Sequence, residues 1–483
     1  MIKFFNTFIA IENYSKNSKL EESLTVRDKV THQVEWVAYD YQPKKNILII
    51  PKGYSSKYLQ ELFPDKEVYY VERDENVSSI SIKADKYPPK NDIQIRALEW
   101  LHENSRFNKK LMDVTMDSGK TYIALKYICD CKKIALIIVH NDGILNQWIK
   151  EILKFTNIER NEIGIIKGSK SIDECENNLQ YKIFIASELT LRNIIDNNKT
   201  RLFKFCKNVG IGIKVVDEAH LFLKTICEID LHTNVIDNIY LTGTAERTNW
   251  KENKILSRIL PLNYSFNTMN SDYANTERRI TTILVDYDSR TTTLASSELY
   301  NRYGFQLAKW ATLTINFIDL LINIFKDYYD YIENMLKDRN LDLQHAIFLK
   351  TLEQCRLFED QLKFMLPGIT IGMFNSLNEK NKKDALNAKV IITTEKSFGV
   401  AIDSKINVIH NFIPISSKAS IMQMAGRLRK NEVSIFLDYT DESIEGCVKS
   451  KAIKKAIFKK IALKLYERIY NPERLRMQYQ GKL

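Results

Sequence analysis

Glycine, proline and paired cysteines are scarce in this chain. It has 15 glycines and 9 prolines among 483 residues, too few for a collagen-like or linker-dominated protein. Its 7 cysteines match neither a disulfide framework nor a zinc or redox motif, since even the closest pair, Cys129 and Cys131, has the wrong spacing. They indicate reduced thiols and a cytoplasmic protein. Apolar runs are too short for a membrane helix or a secretory leader, so we expect no membrane association.

Acidic residues are outnumbered by basic ones. The chain carries 71 Lys+Arg and 60 Asp+Glu, a net charge of +11, which suits a nucleic-acid partner through counterion release. The length allows about three domains, and 44% hydrophobic residues are enough for packed cores. The sequence has neither internal repeats nor low-complexity tracts.

A Gly-Lys-Thr sequence stands between a predicted strand at 110–114 and a predicted helix that includes 122–128. In that context the backbone N–H groups of the turn cradle phosphates, the lysine reaches the β- and γ-phosphates, and the threonine hydroxyl holds Mg²⁺. The full Gly-x4-Gly-Lys-Thr pattern has glycine where this chain has Val114. The residues predicted to bind the nucleotide here are Ser118, Gly119, Lys120 and Thr121.

Two adjacent carboxylates follow the apolar run 211–216. Such a run predicts a buried strand, and ligands of α/β sheets bind at the carboxyl ends of strands. We predict that Asp217 holds Mg²⁺ and that Glu218 polarises the attacking water. An acidic pair alone would more simply be a surface feature, but its combination with Lys120 favours an ATP site.

Further motifs follow in an order that resembles superfamily 2 helicases of the DExH/DEAH type, over roughly residues 87 to 440. They are the segments 240–245 (YLTGTA), 390–394 (VIITT), 399–403 (GVAID) and 423–430 (QMAGRLRK). The resemblance implies a motor with two tandem RecA-like domains that uses ATP and Mg²⁺ and acts on nucleic acid.

The resemblance also implies a role for each matching residue. Lys120, Glu218, Arg427 and Arg429 would be catalytic, the arginines as fingers on the transferring phosphoryl group. The further nucleotide-binding residues would be Gln94, Gly399, Asp403 and Gln423; the strand-contacting residues Gln147, Ser187, Thr190 and Thr394; and the coupling residues Thr242 and Thr244. The family places its second arginine three positions after the first, where this chain has Lys430. Which of Arg427, Arg429 and Lys430 is the main finger stays open.

The predicted fold class is α/β, with two RecA-like domains built on parallel sheets, a small N-terminal α/β domain and a C-terminal helical tail. We predict an accessory domain at 1–86, ended by Pro88-Pro89 just beyond it, a first RecA-like domain at 87–265, a second at 266–440 and a basic tail at 441–483. The N-terminal region resembles the small domain of phage UvsW-type and poxvirus transcript-release helicases. It could engage a duplex or simply pack on the motor.

The tail has apolar residues four apart, at Ile453, Ile457, Ile461, Leu465 and Ile469. This spacing predicts one amphipathic helix that docks on the second motor domain. Its lysines could contact phosphates or simply face solvent.

The sequence thus predicts an ATP-dependent DNA helicase or translocase that unwinds or remodels branched DNA in replication, recombination or repair. Abundant Ile, Asn and Lys, together with the resemblance, favour a phage or other large DNA virus. Expected partners are DNA rather than RNA and viral replication or recombination proteins, in the host cytoplasm. The alternatives are a motor for RNA or transcription complexes and, in another class, a non-motor NTPase or restriction-type subunit.

Overall fold

Several central strands of this protein are short apolar runs without alternation, among them Ala135–Val139 and Ile183–Ser187. Such runs are typical of parallel sheets covered on both faces. The computed structural model describes residues 1–28, 31–71, 79–114, 118–243, 250–260, 265–267, 280–301, 304–374, 382–398, 406–428 and 433–479. Its strands are β1 (Ile2–Phe4), β2 (Phe8–Glu12), β3 (Thr25–Arg27), β4 (Val34–Val37), β5 (Asp40–Gln42), β6 (Ile47–Pro51), β7 (Val68–Tyr70), β8 (Lys109–Asp113), β9 (Ala135–Val139), β10 (Ile163–Ile166), β11 (Ile183–Ser187), β12 (Ile213–Val216), β13 (Asp237–Thr242), β14 (Ser265–Asn267), β15 (Ile280–Tyr287), β16 (Tyr300–Asn301), β17 (Gly304–Phe305), β18 (His345–Leu349), β19 (Ile371–Phe374), β20 (Val390–Thr394), β21 (Val408–Asn411), β22 (Ile435–Asp441) and β23 (Ala462–Ile469).

Helices connect most of these strands. They are α1 (Ser18–Ser23), α2 (Ser56–Leu62), α3 (Asp92–Glu103), α4 (Lys120–Cys131), α5 (Asp142–Phe155), α6 (Ser169–Asn177), α7 (Glu188–Asn197), α8 (Arg201–Val209), α9 (Leu223–Leu231), α10 (Trp250–Ile259), α11 (Thr293–Glu298), α12 (Leu307–Ile315), α13 (Ile318–Met335), α14 (Leu352–Met365), α15 (Lys382–Asn387), α16 (Glu395–Phe398), α17 (Lys418–Ala425), α18 (Glu445–Ile461) and α19 (Pro472–Tyr479). Short 3₁₀ turns lie at Arg160–Glu162 and Lys337–Arg339.

The chain forms two compact units, Met1–Ser271 and Asp272–Leu483. The first contains a seven-stranded sheet in the order β10-β11-β9-β12-β13-β8-β14, and all its neighbouring strands are parallel. Since β14 pairs with β8, this sheet extends to Asn267, two residues past the predicted boundary at 265. Parallel order brings the carboxyl ends of β8, β12 and β13 to one edge of the sheet.

The second unit repeats this architecture. Its sheet has the order β19-β20-β18-β21-β22-β15-β23, again with every pair parallel. Two α/β layers on parallel sheets, with a smaller N-terminal α/β sheet and helices near the C-terminus, confirm the predicted fold class.

The tail differs from the predicted single helix. Helix α18 ends at Ile461, and Ala462–Ile469 is an edge strand that pairs with β15, so a helix through Leu465 and Ile469 is wrong. Backbone pairing with a strand far upstream in sequence competes with helix propagation and wins here. The prediction that the tail helix docks on the second motor domain is correct for α18, because its Ile457 and Phe458 belong to the core of the second unit.

Several tail lysines pair with carboxylates of the second unit. Lys454 is buried and lies 2.7 Å from Asp438, and Lys451 and Lys455 pair with Asp286 and Glu467 respectively. Part of the basic tail therefore stabilises the second unit, and its truncation would remove both a core helix and a sheet strand.

The N-terminal region packs on the first parallel sheet. Its own five-stranded sheet, in the order β5-β6-β2-β1-β7, shares one hydrophobic core with that unit. The Asn6 backbone N–H donates to Asn234 Oδ1 at 2.8 Å, and the Arg258 guanidinium donates to the Gly53 carbonyl at 2.9 Å. These contacts favour the packing role that the sequence left open.

Within the described ranges, no single helix is long and apolar enough to cross a membrane. One bent pair, α12 with α13, passes that test by length and composition alone, with an angle of 85° between its helices. Trp310 in α12 and Leu321, Phe325 and Tyr328 in α13 are buried within the second unit.

Candidate nucleotide-binding site

The phosphate turn lies between β8 and α4. Gly119 caps the helix with φ +85°, a left-handed conformation that favours glycine, and Lys120 and the half-buried Thr121 open α4. Gln94 supports the turn: its Nε2 donates to the Ser118 carbonyl at 3.0 Å. A Cβ at Gly119 would clash with the Gln94 amide. The helix N-terminus with its N–H groups suits an anion, and nucleotide binding by this turn remains a prediction.

Lys120 meets the acidic pair as expected. Its Nζ lies 2.9 Å from Glu218 Oε1, because β8 and β12 deliver both motifs to the same sheet edge. Burial opposes the positive charge, but the carboxylates of Glu218 and Asp217 outweigh it, so the pKa of Lys120 is raised. Glu218 has a positive φ of +48°, a strained conformation of the kind that clusters at functional sites.

Asp217 is held through both carboxylate oxygens. The Trp148 indole N–H donates to Oδ2 at 2.9 Å, and the Glu218 backbone N–H donates to Oδ1 at 3.0 Å. Burial and the neighbouring charge of Glu218 raise the pKa of Asp217 to about 6, against the opposing effects of Lys120 and Trp148.

The donor set fits Mg²⁺. This ion prefers oxygen ligands and is commonly held by one or two carboxylates together with substrate phosphates. Asp217 supplies a carboxylate, and each of its oxygens has lone-pair capacity beyond the bond described above. Thr121 supplies a hydroxyl at the start of α4. These two residues would hold the ion, whose chemistry would be to neutralise phosphate charge.

A buried contact joins this site to the next strand. Thr242, at the end of β13, lies with its Oγ1 2.9 Å from His220 Nδ1, and the same nitrogen is 3.3 Å from Glu218 Oε2. Thr242 was predicted to couple the sites. His220 and Trp148 were not among the predicted site residues, although His220 ends the Asp-Glu-Ala-His motif and Trp148 directly follows Gln147.

The predicted strand-contacting residues of the first unit lie on two helices. Gln147 is exposed on α5. Ser187 caps α7 by accepting from the Thr190 backbone N–H at 3.3 Å, and the two hydroxyls are 2.8 Å apart. Helix capping accounts for the residue types at 187 and 190. Contact with nucleic acid remains a prediction for all three.

Three predicted residues of the second unit are described. Thr394 is buried and its hydroxyl donates to Ser397 Oγ at 2.9 Å. Gln423 lies on α17, and Arg427 follows that helix, both half-buried. The remaining predicted residues lie outside the described ranges: Thr244, Gly399, Asp403 and Arg429.

Part of this chain matches a known protein family, and several solved structures have a similar fold. Residues 88–247 match the family described as "Type III restriction enzyme, res subunit", and a search of curated proteins finds no match. S. cerevisiae Dbp5 bound to RNA and ADP BeF3 is a similar structure at 14% identity, over 83% of this chain and 94% of that one, with a TM-score of 0.52.

Two other structures have comparable scores. Mss116p bound to ssRNA and AMP-PNP is 13% identical over 77% of this chain and 73% of that one, with a TM-score of 0.50. A fragment of an HsdR subunit of a type I restriction enzyme from Vibrio vulnificus YJ016 is 12% identical over 79% and 68%, also at 0.50. These likenesses show the fold of tandem RecA-like domains. The matched family and the Lys120–Glu218 contact together support an ATP-hydrolysing enzyme.

Proposed function

We propose that the protein is an ATP-driven DNA helicase or translocase that unwinds or remodels branched DNA in replication, recombination or repair, with a phage or other large DNA virus as its source. The observation that carries the motor assignment is the 2.9 Å contact between Lys120 and Glu218. It joins the phosphate turn to the acidic pair at the carboxyl edge of one parallel sheet, where α/β proteins bind their ligands.

The contact between Lys120 and Glu218 also suggests how ATP turnover begins. In the structure the Lys120 ammonium neutralises Glu218. When ATP binds, Lys120 turns to the β- and γ-phosphates, and Glu218 becomes able to accept a proton from the attacking water. Asp217 and Thr121 would hold Mg²⁺, which would neutralise phosphate charge, and Arg427 or Arg429 would stabilise charge on the transferring group. The adjacent Thr242–His220 contact transmits the change toward the bound strand.

DNA is the proposed substrate for two reasons. The matched family is named for a restriction enzyme, an enzyme class defined by its action on DNA, and the net charge of +11 suits a polyanion. Dbp5 and Mss116p, whose structures hold RNA, favour an RNA-directed motor as the alternative. The matched family and the HsdR fragment also favour a restriction-type subunit, which would need a nuclease partner.

The test is ATP turnover measured with no polymer, single-stranded DNA, duplex DNA, a branched junction and RNA, each beside Lys120→Ala. We expect the largest stimulation with branched or single-stranded DNA and none for Lys120→Ala. Stimulation by RNA alone would establish the alternative. If none of the polymers changes the rate of ATP turnover, the protein is a non-motor NTPase. If only duplex DNA stimulates turnover, the restriction-type subunit is favoured.

A further inference from the structure

One buried residue of α5 differs from its neighbours in chemistry. The buried stripe of this helix consists of Leu145, Trp148, Ile149, Ile152 and Phe155. Among these five, Trp148 alone has a side chain that donates a hydrogen bond. That donor is directed at Asp217 Oδ2, at 2.9 Å, although the ring itself is only 1% exposed.

The hydrogen bond from Trp148 fixes the second oxygen of the Asp217 carboxylate. Asp217 directly follows β12, and the Glu218 backbone N–H holds only Oδ1. With that bond alone, the carboxylate could still swing about its Cα–Cβ and Cβ–Cγ bonds. The indole N–H fixes the second oxygen from a different helix, so the plane of the carboxylate is set by two rigid elements. Partners of this kind orient metal ligands and tune metal affinity.

We propose that Trp148 is a positioning residue that presets the Asp217 carboxylate for the Mg²⁺–nucleotide complex. The inference rests on the proposed function, because it takes Asp217 as the metal-holding residue. A purely structural tryptophan would fill the same space, and a bicyclic ring without the N–H would serve equally well. The hydrogen-bond donor, not the ring volume, is therefore what the experiment must remove.

The experiment measures equilibrium binding of a fluorescent, non-hydrolysable ATP analogue as Mg²⁺ is titrated, and also in EDTA. Trp148→Phe keeps an aromatic ring and loses the N–H. We expect the Mg²⁺ concentration for half-maximal binding to rise about tenfold or more, while affinity in EDTA stays unchanged. Trp310→Phe is the matched control, since Trp310 is equally buried, at 1% exposure, and lies on α12 of the other unit; we expect it to behave as the wild type.

Two outcomes separate this inference from the function on which it rests. If Asp217→Asn shifts the Mg²⁺ titration and Trp148→Phe does not, Trp148 only fills space and the inference is overturned. If Asp217→Asn leaves the titration unchanged as well, the metal assignment itself fails. Should Trp148→Phe not fold, 3-benzothienylalanine incorporated at position 148 preserves the bicyclic shape and replaces the N–H with sulfur, and the same shift is expected.

Discussion

The Nδ1 atom of His220 lies 2.9 Å from the hydroxyl oxygen of Thr242. His220 follows β12, which ends at Val216, and Thr242 ends the neighbouring β13. The same histidine nitrogen is 3.3 Å from Glu218 Oε2. One imidazole thus connects the proposed water-activating carboxylate to the next strand end.

Thr242→Val should lower DNA unwinding more than it lowers ATP turnover. Valine keeps the shape and loses the hydroxyl, so the link to His220 is lost while Lys120 and Glu218 are untouched. A coupling of about 1–3 kcal/mol corresponds to about a 5- to 150-fold effect. We expect a loss of that size in unwinding per ATP hydrolysed, measured on a forked duplex. Thr242→Ser retains the hydroxyl and should unwind normally; an equal loss in both variants would contradict the role of the contact.

Lys120→Ala should abolish ATP turnover and leave nucleic-acid binding in place. The variant removes the group that we propose contacts the phosphates, and loss of such an electrostatic contact costs about 100-fold or more in kcat. Steady-state turnover and filter binding of DNA would be measured in parallel. Lys126→Ala, on the outer face of the same helix where Lys126 pairs with Asp130, is the control and should retain turnover. Normal turnover in Lys120→Ala would refute the site.

Arg427→Ala should lower kcat far more than it changes KM. An arginine finger acts in the transition state, where it contributes about 10³-fold or more. Arg427→Lys should not restore the rate, because an ammonium lacks the planar fork. Arg429→Ala and Lys430→Ala, measured in the same assay, identify the finger by the largest loss of kcat. Arg474→Ala, an exposed change on α19, should have no effect. A loss confined to KM in Arg427→Ala would indicate ground-state binding instead.

The second unit should lose stability as the pH falls below about 6.5. Burial lowers the pKa of both His345 and His410; for His345 this effect and the charge of Lys389 outweigh the attraction of Glu333. His410 Nδ1 also lies 2.8 Å from the Tyr439 hydroxyl. The unfolded chain therefore binds more protons than the folded one, and stability decreases with falling pH by up to about 1.4 kcal/mol per pH unit for each histidine.

Urea unfolding followed between about pH 7.5 and 5.5 would measure this slope. His410→Phe should reduce the slope by up to about 1.4 kcal/mol per pH unit, the share of one histidine. His32→Gln is the control variant, because it removes an exposed histidine and leaves the second unit untouched. A slope insensitive to His410→Phe would show that other groups dominate the pH response.

Much of the site could be predicted because its determinants are local. The segment 110–114 and the apolar run 211–216 predict strands, and the rule that parallel strands present their carboxyl ends together brings Lys120 to Glu218. The contact between Trp148 and Asp217 could not be predicted in this way, since a tryptophan on an amphipathic helix has the same pattern as any core residue. The cap that Ser187 forms on Thr190 was likewise not predicted, since both residues were predicted only as strand-contacting.

The C-terminal tail shows where periodicity alone fails. Apolar residues four apart continue through Ile461, Leu465 and Ile469, yet the helix ends at Ile461. The segment 462–469 has only Tyr466 and Ile469 as residues that favour a strand, so pairing with β15 decides its conformation. The paired residues Ile280 and Ala462 are 182 positions apart (462 − 280), beyond the reach of any local pattern.

The packing of the N-terminal sheet on later segments has a consequence for synthesis. Thr7 bonds to the Thr233 carbonyl, 226 residues away, and Gly53 to Arg258, 205 residues away. At a translation rate of about 5–20 residues per second, the ribosome needs about 10–45 s to deliver those partners after the first strands emerge. During that interval the nascent chain exposes apolar surface that its own later residues will cover, and this is when we expect it to depend most on chaperones.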